Sequence, residues 1–174
     1  MLLKTIENIL KILKDKGMKF KFFVCGEGMY ASKLKVFCKY LGFTNDVEFT
    51  GLLRNKDLSL LYARANLLLF PSLYDSFGFV KVEAAAHSTP SVLIKGSAVS
   101  TGVTDEVNGF LSDDNKDAFA QKIIEAISDK ELLTQIGQNA ARDIFCSWDV
   151  SASTLIDKYK EIINNRQQAG ALDN

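Results

Sequence analysis

Phe70-Pro71-Ser72-Leu73-Tyr74-Asp75-Ser76-Phe77-Gly78-Phe79-Val80-Lys81-Val82-Glu83-Ala84-Ala85-Ala86 brings three kinds of local structure together. Leu67 to Phe70 is an apolar run ended by Pro71, as a buried strand would be, because proline has no amide to give to a ladder. Ser72 to Ser76 reads as a loop, and helical spacing begins at about Gly78 and holds to Ala86. Strand, loop and helix in that order open a β-α-β unit, which predicts parallel neighbours.

The alternation continues on both sides. Downstream, Ser91 to Ile94 and Gly109 to Leu111 read as strands. Upstream, Leu58 to Ala65 reads as a helix and Val47 to Phe49 as a strand ended by Gly51. Phe20 to Cys25 is a β-prone run leading into Gly26-Glu27-Gly28, and Leu34, Phe37, Cys38 and Leu41 resume a helical period that stops at Gly42. Leu2, Leu3, Ile6, Ile9, Leu10 and Leu13 place the first residues in a helix closed by Gly17. Short strands alternating with helices predict an α/β fold, a Rossmann-like parallel sheet with helices on both faces. From Lys116 onward the pattern is wholly helical, in three segments. One domain is expected over residues 1–163, with a polar tail over 164–174 that is frayed or disordered.

Composition narrows the function. The 174 residues are 47% apolar, enough for one core. Lys plus Arg equals Asp plus Glu at 21 each, which supplies no field for nucleic acid. Cys25, Cys38 and Cys146 are odd in number and far apart, predicting reduced thiols in a cytosolic compartment and neither disulfide nor structural zinc. The longest apolar run falls far below the roughly 20 residues that cross a bilayer, so any membrane contact is expected to be peripheral.

Two loops could carry chemistry. Gly26-Glu27-Gly28-Met29-Tyr30-Ala31 fits the dinucleotide fingerprint G-x-G-x-x-A, with Glu48 near the spacing of a ribose acid. Glu48 falls inside a strand and not at its carboxyl end, which weakens the NAD reading; a tight turn explains both glycines without a ligand. Around Gly78, Asp75 and Glu83 can reach separate hydroxyl groups as acceptors, while the backbone ahead of the helix suits a diphosphate. Equally, Asp75 or Ser76 could cap the helix and Glu83 be solvated. On the residues alone these readings stand level.

The ordered set of Gly26-Glu27-Gly28, Phe49-Thr50-Gly51, Pro71-Ser72, Asp75 with Glu83, Glu83-Ala84-Ala85-Ala86, Thr89-Pro90-Ser91-Val92, Val107-Asn108-Gly109-Phe110-Leu111 and Ser147-Trp148-Asp149 resembles the C-terminal domain of glycosyltransferase family 4. These are retaining enzymes of the two-domain GT-B architecture with an E-x7-E motif. The resemblance covers nearly the whole chain and implies a donor-binding half whose acceptor domain and first strand lie upstream of it. It implies that Glu83 holds the donor ribose hydroxyls, that Asp75 is the catalytic acid near the transferred sugar, and that Ser76, Phe77 and Gly78 face the sugar and phosphates. Leu53 would pack around the nucleobase, and Gly26 and Gly28 would border the phosphate cleft. The implied substrate is a nucleoside-diphosphate sugar, a UDP-sugar above others, with a hexose passing to a lipid or glycan and no cofactor or metal. Ile94-Lys95-Gly96 and Gly102-Val103-Thr104-Asp105 resemble bacterial diacylglycerol glucosyltransferases, which would place the protein at the inner face of the membrane.

The chain departs from that family in three places. Asp75 stands where Glu is usual, one methylene shorter; His87-Ser88 stands where a glycine usually precedes the Thr-Pro pair; and the Arg and Lys that clamp the diphosphate are missing. Lys4 lies too early in its helix to be that lysine, and Arg54 and Lys56 read as loop residues near the base. Without the cations the chain is expected to be inactive by itself. A degenerate, non-catalytic nucleotide-binding or interaction module is the alternative, and an NAD-type dehydrogenase a more distant one. His87, the sole histidine, is expected to be a surface or packing residue, and Trp148 to pack where the last helix turns back.

Overall fold

The computed structural model describes the backbone of residues 2–172 and the side chains of residues 4–166. The elements are α1 (Leu2–Asp15), β1 (Phe22–Cys25), α2 (Met29–Tyr40), β2 (Val47–Gly51), α3 (Asn55–Arg64), β3 (Leu68–Phe70), α4 (Phe79–Ala85), β4 (Ser91–Ile94), a 3-10 turn (Ala98–Ser100), β5 (Phe110–Ser112), α5 (Lys116–Ser128), α6 (Lys130–Asp143) and α7 (Trp148–Leu172). Every element expected from the pattern is present, its bounds shifted by a few residues; the 3-10 turn has no periodic signal and was not expected. The chain divides into two compact units, Met1–Ile144 and Phe145–Asn174.

All strand pairing is parallel, and it falls into two sheets where one was expected: β1 beside β2, and β3-β4-β5 with β4 in the middle. No hydrogen-bonded strand joins β1 to β3 among the described residues. Helix α1 spans the division instead. Its Leu10 packs with Leu34, Cys38, Phe43 and Val47 under the first sheet, while Ile9 and Leu13 pack with Val92, Ile94, Phe110, Phe119 and Ile123 under the second. The buried strand β4 carries the second core, all four of its residues being buried. Phe119 and Val92 are fully inaccessible, and each such side chain contributes roughly 1.5–3 kcal/mol on burial.

Helix ends repeat one device. After α1, Met18 N–H donates to Leu13 O at 3.0 Å and Gly17 N–H to Lys14 O at 2.9 Å, the paired closure of a Schellman motif. After α4 the same pair recurs, Thr89 N–H to Ala84 O at 3.0 Å and Ser88 N–H to Ala85 O at 2.9 Å. Ser88 occupies the left-handed position with φ 56°, so the turn that usually takes glycine keeps its geometry with a serine in it. Gly137 of α6 lies directly against this turn, and a Cβ there would collide with the Ser88 carbonyl oxygen.

Two expectations at the C-terminal end are corrected. α7 remains helical to Leu172, past Asn164 where a polar tail was expected to begin, and residues 173–174 lie outside the described residues. Trp148 does not pack: it is 82% exposed, as are, to lesser degrees, Leu155, Ile156, Tyr159 and Ile163 along the same helix.

Candidate functional site

The residues singled out lie after the carboxyl ends of β1, β2 and β3, the edge where parallel sheets hold ligands. Gly26 and Gly28 follow β1. They line a cavity of about 240 Å³ with Glu27, Ser32, Lys35 and Phe49. Gly26 N–H donates to Gly51 O at 2.8 Å, which ties the ends of β1 and β2 together around that space. Lys35 supplies the cavity's cation and sits with its Nζ 5.3 Å from the Phe49 ring centroid. Leu53 lies half-buried between β2 and α3, outside this cavity.

Asp75, Ser76, Phe77 and Gly78 form the loop between β3 and α4, and they too stand apart from the glycine-loop cavity. Asp75 Oδ1 accepts from Phe77 N–H at 3.0 Å and from Gly78 N–H at 2.7 Å. The two amides expected to face a donor are therefore engaged by the loop's own carboxylate, a geometry within reach of aspartate's short side chain. Asp75, Ser76 and Phe77 are exposed while Gly78 is buried, with φ 70° and ψ 62°. A Cβ at Gly78 would run into Val99 Cγ1, so both its backbone conformation and its contact demand glycine.

Val99 is held there by a residue that reading the sequence passed over. Lys81, 3% exposed on the inner face of α4, donates from Nζ to Val99 O and to Thr101 O at 2.6 and 2.9 Å. Burial pushes its pKa down, and the two carbonyls and the Phe77 ring, 5.4 Å away, are what it has in place of water. Its signal in the sequence is position: Lys81 falls three and four residues before Ala84 and Ala85, on the face of α4 that is buried.

Glu83 is exposed on α4, and its Oε2 accepts from the Tyr62 hydroxyl of α3 at 3.2 Å. Tyr62 is 8% exposed. Burial, then the neighbouring Glu83 carboxylate and its hydrogen bond, and last Cys25 at the end of β1 hold the phenol well above its ordinary pKa. His87 stacks on the Tyr62 ring, centroids 6.3 Å apart and planes 16° apart, with Nε2 2.8 Å from Ser59 Oγ. The histidine joins α3 to the end of α4 as a packing residue. Glu48 points elsewhere, its carboxylate 3.5 Å from Lys21 Nζ, which leaves the dinucleotide fingerprint without its ribose acid. Among the described residues no three of His, Cys, Asp and Glu cluster as metal ligands would.

Comparison with known proteins gives this arrangement a context. Residues 3–143 match the family model for glycosyl transferases group 1. An uncharacterized glycosyltransferase of Methanocaldococcus jannaschii is 32% identical over 162 residues, covering 90% of this chain and 42% of that protein. A D-inositol 3-phosphate glycosyltransferase of Salinispora arenicola is 36% identical over 126 residues, 71% of this chain and 28% of that one. The chain therefore spans less than half the length of these relatives. Among solved structures, Anabaena HepE in complex with UDP and glucose superposes with a TM-score of 0.62 at 28% identity, covering 70% of this chain and 34% of that one. A Rickettsia africae glycosyltransferase gives a TM-score of 0.76 at 20% identity, covering 92% and 45%, a likeness of fold.

Proposed function

Because this chain belongs to the glycosyl transferases group 1 family, we propose that it is the donor-binding domain of a retaining, family 4 enzyme of GT-B architecture, moving a hexose from a nucleoside-diphosphate sugar to a lipid or glycan. UDP is the favoured nucleotide, in line with the UDP carried by Anabaena HepE, and the reaction needs no metal. Glu83 takes the ribose hydroxyls, Asp75 and the backbone of Ser76, Phe77 and Gly78 border the sugar, Gly26 and Gly28 border the phosphates, and Leu53 borders the base. The observation that carries this reading is the exposed Glu83 carboxylate, fixed in place by a buried tyrosine.

The acceptor domain and a first strand of the sheet belong to a longer protein on this reading. The division between β1 and β3 supports it, since one further parallel strand between them would make a single sheet of the two. Activity resides in that longer protein, in the cytoplasm at the inner face of the membrane, where a lipid acceptor would be met.

Calorimetric titration of UDP, GDP and ADP is the test. Selective binding of UDP that is weakened by Glu83→Ala is expected; equal indifference to all three nucleotides would overturn the assignment. A second reading, the non-catalytic module, draws on the Asp75 carboxylate folded onto the Phe77 and Gly78 amides. Sugar transfer by the longer protein would dismiss it, and nucleotide binding without hydrolysis or transfer would favour it.

A further inference from the structure

We infer that Tyr62 is a positioning residue for donor binding: the hydroxyl of this buried side chain holds the Glu83 carboxylate in the orientation that receives ribose hydroxyls, while Thr89 and His87, the latter braced by Ser59, hold the tyrosine. The inference rests on the reading of Glu83 as the ribose acid.

A glutamate on the outer face of a helix samples several rotamers, and a ligand must select one at an entropic cost. Glu83 has that freedom removed in advance. The Tyr62 hydroxyl donates to Oε2 at 3.2 Å, and a carboxylate has acceptor sites enough to take a vicinal pair of hydroxyls beside that bond. Because the phenol's pKa is pushed upward by burial and by Glu83 itself, it keeps its proton and remains a donor.

Tyr62 is in turn held at two points, and one of them is itself braced. Its backbone carbonyl accepts from Thr89 Oγ1 at 2.7 Å, and Thr89 is only 2% exposed. Its ring lies nearly parallel to that of His87. His87 meets Ser59, one turn before Tyr62 on the same helix, at 2.8 Å. These contacts link α3, α4 and the turn into β4, so the orientation of Glu83 is set by packed elements and not by a loop. They also give the chain's sole histidine a purpose: it braces the residue that braces the acid.

The test compares UDP with 2′,3′-dideoxy-UDP, which lacks the ribose hydroxyls, binding to the chain and to its Tyr62→Phe, His87→Ala and Glu83→Ala variants, with thermal melts of each. Tyr62→Phe keeps the ring and loses one hydrogen bond, so its affinity for UDP should fall about fivefold, with affinity for the dideoxy nucleotide unchanged. His87→Ala should show the same selective loss, to a smaller degree. Tyr62→Phe binding UDP as the parent does, while Glu83→Ala binds it weakly, would overturn the inference and leave the ribose reading standing. Equal loss for both nucleotides would make Tyr62 merely structural. Glu83→Ala that binds UDP undiminished would remove the ribose reading, and this inference with it.

Discussion

Asp75 commits Oδ1 to two amides of its own loop, which separates its structural role from any contact with sugar. Asp75→Ala should lower stability by about 1 kcal/mol, the usual net effect of losing such loop hydrogen bonds, as read from urea unfolding. Asp75→Glu should act differently, moving the carboxylate outward; affinity for a UDP-sugar should change while affinity for UDP alone stays constant in calorimetry. At Ser88 the left-handed backbone costs a non-glycine residue roughly 1–2 kcal/mol, against 0.5–1 kcal/mol that glycine adds to the entropy of unfolding. Ser88→Gly should therefore raise stability by about 0.5–1 kcal/mol in the same measurement. Residues of this kind differ in how far a sequence betrays them. The Asp75 to Glu83 spacing and the missing glycine at Ser88 are visible in one dimension. The partnership of Tyr62 with Glu83 is not, because it joins residues 21 apart on two different helices, and helical periodicity says which face is buried without saying whose hydroxyl meets whose carboxylate.

Helices and strands were legible because their apolar residues recur at 3.6 and because short β-prone runs end in glycine or proline. What stayed hidden were contacts between elements. Gly137 is an example: inside α6, with no visible turn to make, it reads as a mild defect that alanine would repair by about 1 kcal/mol. The structure reverses the sign. Since a methyl group there meets the Ser88 carbonyl oxygen and Pro90 Cδ, Gly137→Ala should destabilise the chain by about 1–3 kcal/mol, through separation of α6 from the turn after α4. A melting temperature that rises on this substitution would show that the two elements can move apart at no cost. Lys81 was missed for a related reason. A lysine among apolar residues reads as a solvent-facing interruption, and only the carbonyls of Val99 and Thr101, brought over α4 by the 3-10 turn, make its burial tolerable.

For the whole molecule, β-α alternation predicted one sheet and the chain forms two, bridged by α1. Alternation counts strands and crossovers; it does not say whether every neighbouring pair is adjacent in space. The division should be visible in amide hydrogen exchange. Val92 and Leu93, in the middle of the three-stranded sheet, should exchange slowest, and the amides of Phe23 and Leu69 much faster, although all four sit in strands. Uniform protection across the four would mean the strands are paired in solution. The same two borders bear on handling the protein. A strand border without a hydrogen-bonded neighbour, carrying half-exposed phenylalanines such as Phe23 and Phe70, is a template for the border of another molecule, and such pairing grows with the number of molecules present. For this chain, then, whatever covers the facing borders of β1 and β3 would act, in effect, as its chaperone.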